Sequence, residues 1–257
     1  MRVAIIGLGW VGKSMLELFP DAIIHDPALG WDSVEKADVA FICVPTPNLP
    51  DGSLDISAVE EAVGRRQEKL IVIRSTVNPG TCDWLAGEYG KNIVMQPEYL
   101  GETVNHPMLD PTTRQFMIIG GEPKYRRKLI ELYTGVYNAN IKIRQVTNLE
   151  AEVIKLSENR AIAFKVAQAQ ELYDVCQRAG VDYYTIREAV YSDDPRFNPW
   201  FTFIYPEKRG MDSKCLPKDV YAWAAWAESV GYEPKLTNGV LKRNEEWLIG
   251  NNTESTT

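Results

Sequence analysis

"RVAIIGLGWVGKSMLELF", residues 2–19, joins a short apolar β-branched run to a turn built on glycine and then to an amphipathic stretch. Gly7, Gly9 and Gly12 fall in the spacing G-x-G-x-x-G. A strand followed by such a turn and a helix offers a tight bend, close backbone approach to a pyrophosphate, and a helix N-terminus facing the phosphates. The next apolar run, "AIIHD", closes on Asp26, nineteen residues after Gly7. An acid there suits the hydroxyl pair of a ribose and points to NAD over NADP. Asp26 can also be read as a turn residue before Pro27, but that reading leaves the glycine triplet unexplained.

The pattern continues outward from this unit. "VAFICVP", "LIVIRST", "NIVMQP", "FMIIGG" and "IKIRQV" are strand-sized and mostly continuously apolar, as strands covered on both faces must be. Helical segments lie between them at Val11 to Phe19, Ile56 to Arg66 and Pro123 to Tyr137. The alternation predicts an α/β fold, a Rossmann-type doubly wound sheet over residues 1–147. After 147 the strands stop. Residues 148–180 contain no proline or glycine before Gly180 and read as one long helix. Shorter helices are expected at Asp182 to Tyr191, Leu216 to Val230 and Leu236 to Ile249, so that 148–250 forms an all-helical domain. The polar tail 251–257 is expected to fray.

Composition narrows the function classes. A chain of 257 residues, 45% hydrophobic and 25% charged, is globular, and its net charge of −7 gives no general attraction to nucleic acid or anionic lipid. The one basic cluster, "KYRRK" at 124–128, reads as a solvated helix face. No apolar run is long enough to span a membrane, and the N-terminal run is too short for a secretory leader. Cys43, Cys82, Cys176 and Cys215 are scattered, and His25 and His106 complete no ligand spacing, so no metal site is expected. Reduced thiols in the cytoplasm are the simplest reading.

Four groups of residues could carry chemistry. The glycine turn is the first. "CVPTP" (43–47), "STVNPGT" (75–81) and "QPEYLGE" (96–102) end apolar runs at the edge where open α/β sheets bind ligands, although each could be a plain capped turn. Lys155 and Asn159 share a face of the long helix, where a desolvated lysine would stabilise an oxyanion or transfer a proton; an ordinary polar stripe is the alternative. "KCLPKD" (214–219) puts Cys215 at a helix start with Lys218 and Asp219 in the first turn, an arrangement that favours a thiolate. A buried structural thiol is the other reading.

Taken in order, "GLGWVG", "CVPTPNLPDGSLD", "STVNPGT", "PEYLGE", "IKLSENRAIAFKVAQAQEL" and "CLPKD" resemble the UDP-glucose/GDP-mannose dehydrogenase family of nucleotide-sugar dehydrogenases over nearly the whole chain. The resemblance implies an NAD-dependent double oxidation of a sugar C6 alcohol to a carboxylate through a cysteine thiohemiacetal and thioester. Cys215 matches the nucleophile, Lys155 and Asn159 the oxyanion-stabilising pair, and Asp219 the residue that orders water or acts as base. Thr76 and Glu98 match the positions that activate water for thioester hydrolysis. Beyond the glycines and Asp26, the cofactor is expected against Trp10, Val11, Val44, Pro45, Thr46, Ser75, Thr76 and Glu102. Substrate is expected against Glu98, Tyr99, Leu100, Lys155, Asn159 and Lys218.

Two departures stand out. The family's further C-terminal α/β domain has no counterpart in this sequence, which reads as a truncated form. The glycine-rich loop expected before the cysteine reads "YPEKRGMDSKC", keeping only Gly210, so Lys208, Arg209 and Lys214 are expected to supply charge for a diphosphate in its place. A nucleotide-sugar substrate and a homodimer through the long helix are the partners this reading implies. A two-electron hydroxyacid or sugar-alcohol dehydrogenase, and an NAD-binding module completed by a partner chain, are the alternatives.

Overall fold

The computed structural model describes residues 1–32, 37–101, 106–138 and 140–254. Two compact units divide the chain, 1–155 and 156–257. The first contains strands β1 (Val3–Ile6), β2 (Ile23–Asp26), β3 (Trp31–Asp32), β4 (Val39–Ile42), β5 (Leu70–Ile73), β6 (Ile93–Met95), β7 (Phe116–Ile119) and β8 (Lys142–Gln145). Its helices are α1 (Trp10–Leu18), α2 (Ser57–Arg65), α3 (Thr81–Tyr89) and α4 (Pro123–Tyr133).

Six strands form one sheet in the order β3-β2-β1-β4-β5-β6, parallel except for the antiparallel edge strand β3. The connection direction reverses between β1 and β4, and ligands in such sheets bind at the carboxyl ends of the strands flanking that point. β1, β4 and β5 are buried at every position. Alternate residues explain this. Ala4, Ile6, Ala40, Ile42, Ile71 and Ile73 face one apolar layer with Val59, Leu85 and Ala151, while Val3, Ile5, Val39, Phe41, Leu70 and Val72 face another with Met15, Leu129 and Tyr133. Each fully buried aliphatic side chain here contributes about 1.5–3 kcal/mol.

The single sheet expected from the strand pattern is divided. β7 and β8 form their own parallel pair, linked to β6 by the Gly120 N–H bonded to the Met95 carbonyl at 2.7 Å. β6 spans only three residues, and the chain beyond it turns to Gln96 and Glu98, whose side chains bond to Tyr133 and to two arginines. Helix α3 has no apolar stripe in the sequence. Its first turn is capped from a distance, by Glu152.

Helix α5 (Asn148–Ala179) starts in the first unit and continues into the second; its 32 residues span about 48 Å. Ala151 and Ile154 pack on the first face of the sheet, so the boundary between units falls inside the helix. In the second unit, α6 (Tyr183–Arg187) continues as a π-helical turn, Glu188–Asp193, before α7 (Leu216–Ser229) and α8 (Lys235–Glu254). Ala163, Met211, Val220, Ala224 and Leu241 make one core cluster, and Ala169, Cys176, Tyr183 and Ile204 another. The Arg160 guanidinium lies 4.3 Å from the Phe164 ring centroid and 4.1 Å from that of Trp223, and its Nε donates to Thr237 Oγ1 at 2.8 Å. α8 outruns its sequence expectation. It runs to Glu254 where the sequence pattern gave Ile249, and 255–257 lie outside the described residues. Among the described residues no helix is long and apolar enough to cross a membrane.

Candidate functional site

At the carboxyl end of β1 the chain must turn under steric constraint. Gly7 has φ +89°, and a Cβ there would lie 2.8 Å from the Cys43 carbonyl oxygen. A Cβ on Gly12 would lie 2.0 Å from the Gly7 carbonyl oxygen, so α1 meets the turn with no room for a side chain. Gly9 is different. It is the N-cap of α1, no side chain caps the helix, and a Cβ there would meet nothing within 4 Å. The first-turn N–H groups therefore face an open cradle, as a pyrophosphate requires. Asp26 at the end of β2 accepts the Leu8 N–H at 2.6 Å through Oδ2, and its second oxygen makes no hydrogen bond among the described residues. Trp10 is exposed and Val11 half-buried at the rim. These residues fit a dinucleotide.

The loops after β4, β5 and β6 are tied together. Thr46 Oγ1 donates to the Thr76 carbonyl at 2.7 Å, and Ser75 Oγ to the Val44 carbonyl at 2.7 Å. Pro45 is exposed between them, and Thr76 is half-buried. Glu98 is buried and accepts from two arginines the motifs did not single out, Arg74 and Arg114, and from the backbone N–H groups of Tyr99 at 2.7 Å and Leu100 at 3.0 Å. Burial pushes the Glu98 carboxyl up, but the two guanidiniums and the Tyr99 N–H outweigh it and bring the pKa to about 2. The Tyr99 ring centroid lies 5.2 Å from Nζ of Lys155, which is buried. Glu102 lies outside the described residues.

One further carboxyl has no place in the motifs. Glu152 on α5 is fully buried and accepts N–H bonds from Gly80 at 2.6 Å and Cys82 at 2.8 Å, closing the start of α3. Burial outweighs those two bonds and a further hydrogen bond from the Cys82 side chain, and raises its pKa to about 7.

In the second unit Cys215 is the N-cap of α7 and is exposed, while Cys43, Cys82 and Cys176 are buried and none of the four forms a disulfide. Burial pushes the Cys43 thiol up to about 12 and raises that of Cys82, which also lies beside Glu152, well above its ordinary value. Asp219 donates its backbone N–H to the Cys215 carbonyl at 3.0 Å, in the first bond of the helix. Its carboxylate is buried, and it accepts from Asn159 Nδ2 at 2.5 Å and from Lys218 Nζ at 2.6 Å.

The loop before Cys215 corrects one expectation. Arg209 is not available for a diphosphate: it pairs with Asp174 at 2.7 Å, donates to the Gln170 carbonyl at 3.0 Å and lies over the rings of Tyr173 and Trp247. Asn244 clasps the same loop, accepting the Met211 N–H at 2.5 Å and donating to the Met211 carbonyl at 3.1 Å. Lys208 pairs with Asp212 on the surface, and Lys214 is exposed. Among the described residues no cluster could hold a metal ion.

Comparison with known proteins turns these features into an assignment. Models of the UDP-glucose/GDP-mannose dehydrogenase family match the chain twice, the NAD binding domain over residues 30–138 and the central domain over 149–246. The chain belongs to this family. The UDP-glucose 6-dehydrogenase AglM of Haloferax volcanii is 26% identical over 306 aligned residues, covering 95% of this chain and 70% of that protein. TuaD of Bacillus subtilis, also a UDP-glucose 6-dehydrogenase, is 29% identical, covering 84% of this chain and 48% of that protein. The chain spans about half the length of most curated relatives it matches. A UDP-glucose dehydrogenase structure from Pyrobaculum islandicum superposes with a TM-score of 0.78 at 26% identity, covering 95% of this chain and 68% of that one. For a ternary complex of GDP-mannose dehydrogenase from Pseudomonas aeruginosa the TM-score is 0.61 at 25% identity, covering 96% and 69%. The family's cofactor is NAD.

Two outcomes follow from the geometry. Gly12→Ala should lower unfolding stability by about 1–3 kcal/mol in denaturant titration, because backbone must move. Gly9→Ala should cost under about 1 kcal/mol, a cap effect, yet weaken NAD binding measured by calorimetry. Equal loss of stability in the two variants would contradict the cradle.

Glu152 sets a pH dependence. Its folded-state pKa is raised from 4.5 to about 7, so the folded chain binds the extra proton between those values and loses stability as pH rises through that window. The loss is about 3 kcal/mol at most, and Glu152→Gln should lack it. Thermal melts of both proteins at pH values across the window, compared as differences, check this.

Proposed function

We propose that this chain oxidises the C6 alcohol of a nucleotide sugar, UDP-glucose first among candidates, to the uronic acid through a covalent adduct on Cys215. The observation that carries the reading is the thiol itself. Cys215 is the one exposed cysteine of the four, it stands at a helix start, and Asp219 in the next turn is held by Asn159 and Lys218. The names of the curated relatives support the substrate class.

NAD, when bound, accepts one hydride in each of two oxidations. After the first, the Cys215 thiolate adds to the aldehyde carbon, and the carbonyl electron pair moves onto oxygen, which Lys155 and Asn159 stabilise by charge and hydrogen bonding. Departure of hydride from the thiohemiacetal carbon leaves a thioester. Water then attacks its carbonyl, the C–S bond breaks, and Asp219 takes the water proton as the thiol and carboxylate are released. A thiol is required because a bare aldehyde offers no hydroxyl-bearing carbon from which a second hydride can leave. Thr76, half-buried in the loop after β5, is assigned the orientation of this water, and Val44, Pro45, Thr46 and Ser75 the cofactor side. Tyr99, Leu100 and Lys218 stand on the substrate side.

Steady-state assays with a panel of nucleotide sugars should give two NADH per acid formed, and Cys215→Ser should form no acid. One NADH per product, or full turnover in the serine variant, would remove the thioester from the mechanism. Asp219→Asn should slow turnover by about 10²–10⁴-fold.

Self-association in the second unit is part of the same proposal. Phe197, Trp200, Phe203 and Tyr205 are exposed, and Phe164, Lys165, Tyr191 and Phe197 line an open groove of about 450 Å³ beside α5. Apolar surface of this kind marks interfaces. Sedimentation at micromolar concentration should give a dimer that Trp200→Glu weakens; a monomeric parent chain would remove this part.

A further inference from the structure

The loop that leaves β5 carries Ser75 and Thr76 and runs straight into α3. Its bonds to the loop after β4 hold one side. Thr46 Oγ1 and Ser75 Oγ join the two loops, and the Asn78 side chain accepts the Leu54 N–H at 2.9 Å and donates to the Leu54 carbonyl at 2.8 Å. The far end is held differently. Gly80 is the N-cap of α3, with φ +97°, and no side chain of its own caps the helix. Glu152 supplies the acceptor from α5: Oε2 takes the Gly80 N–H at 2.6 Å and Oε1 the Cys82 N–H at 2.8 Å. The Cys82 thiol also hydrogen-bonds to it.

Residues three and four apart lie on one face of a helix, so Asn148, Glu152 and Lys155 form a stripe along the start of α5. Each has its own attachment. Asn148 Oδ1 accepts the Met95 N–H at 2.8 Å, and its Nδ2 donates to the Ile93 carbonyl at 3.3 Å and to the Asp83 carboxylate at 2.9 Å. The stripe therefore grips both the end of β6 and the first turn of α3. Ala151 is fully buried, and a Cβ on Gly120 would lie 2.9 Å from its own, so the helix start is also wedged against the end of β7. Lys155 follows Glu152 by three residues, about 4.5 Å along the axis. Its Nζ lies 5.2 Å from the Tyr99 ring centroid.

We propose that Glu152 is a positioning residue for the reaction: by holding the Gly80 and Cys82 N–H groups from the helix that bears Lys155, it sets the loop carrying Thr76 in register with that lysine. Its side chain has two oxygens and meets one N–H with each. An amide in its place keeps one acceptor and turns its own N–H groups toward the second donor. Glu152 is fully buried, so it acts through the loop and not by contact with substrate. Small displacements of such a loop matter, because a shift of about 1 Å in a reacting group can cost about 10²-fold in rate.

The inference rests on the dehydrogenase reading for the step it serves, and its test separates the two. Hydrogen exchange followed by mass spectrometry on Glu152→Gln should show peptides over 75–85 exchanging about 10-fold faster, with those over β1, β4 and β5 unchanged. Even acceleration across the sheet would make Glu152 a general stabiliser and overturn the proposal, as would no change at 75–85. With NAD and the panel of nucleotide sugars, the same variant should lower kcat by about 10–10²-fold. The KM for NAD should stay the same, since the glycine turn lies between β1 and α1. Full kcat with a loosened loop would also overturn the assignment. Should Glu152→Gln fail to fold, Glu152→Asp, which keeps the carboxyl and withdraws it by one methylene, takes the same measurements with the same expected outcome. Absence of NADH from the parent chain with every nucleotide sugar would remove the dehydrogenase reading, and exchange at 75–85 would then decide on Glu152 by itself.

Discussion

A carboxylate removed from water must be met by cations or by hydrogen-bond donors, and three of the buried acids organise the segments around them under that constraint. Glu98, Glu152 and Asp219 are 7%, 0% and 1% exposed. The first is met by two guanidiniums and two backbone amides, the second by two backbone amides and the Cys82 thiol, the third by an amide and an ammonium. Removing one partner from such a buried arrangement typically costs about 3–5 kcal/mol, because the remaining charge stays desolvated. These acids therefore fix where the chain can go. Glu98 ties the end of β6 to that of β5 and to the approach to β7, Glu152 ties α5 to α3, and Asp219 ties α7 to Asn159 of α5.

Glu98 and Glu152 separate the causes of a pKa shift. Both are removed from solvent and both accept two backbone N–H bonds, yet one lies at about 2 and the other at about 7. The difference is the pair of arginines. Two backbone amides and the Cys82 thiol do not repay the desolvation of Glu152, whereas two full positive charges more than repay that of Glu98. Buried acids with similar amide contacts can thus work on opposite sides of neutrality, one permanently ionised and one able to exchange its proton.

The strands were legible because burial on both faces demands an unbroken apolar run, and β1, β4 and β5 have one. The glycine turn was legible because its spacing reflects contacts between near neighbours, Gly7 with Gly12. The long helix announced itself by the absence of breakers. Partnerships were not legible. Arg74 ends the apolar run "LIVIRST" as though it were the solvent-facing close of a strand, and its carboxylate partner lies 24 residues away. Glu152 reads as one polar position of "AEVIKL", and its partners lie 72 and 70 residues away. The signal present was a charge inside a continuously apolar stretch, which demands a distant partner without naming it. Helix α3 escaped for a related reason, since its cap is supplied by α5 and not by its own first turn. The separate β7–β8 pair reflects polar side chains after β6 that no periodicity reveals.

The loop leading to Cys215 rests on a different physical basis from a glycine-rich one. A glycine-rich loop folds around its ligand and loses backbone freedom when it binds. Here that freedom is lost on folding: Asn244 clasps Met211 on both its N–H and its carbonyl, Arg209 is pinned to Asp174, and a Cβ on Gly210 would lie 2.9 Å from Asn244 Oδ1. Its cations are consequently of two kinds. Arg209 cannot turn toward a ligand without leaving Asp174 short of a partner and abandoning two aromatic rings, whereas the Lys208–Asp212 pair is exposed and worth at most about 1 kcal/mol. Lys208 can therefore exchange its carboxylate for a phosphate at little cost. An anionic ligand at this loop would meet lysine side chains over a fixed backbone, the reverse of a mobile backbone closing on the ligand.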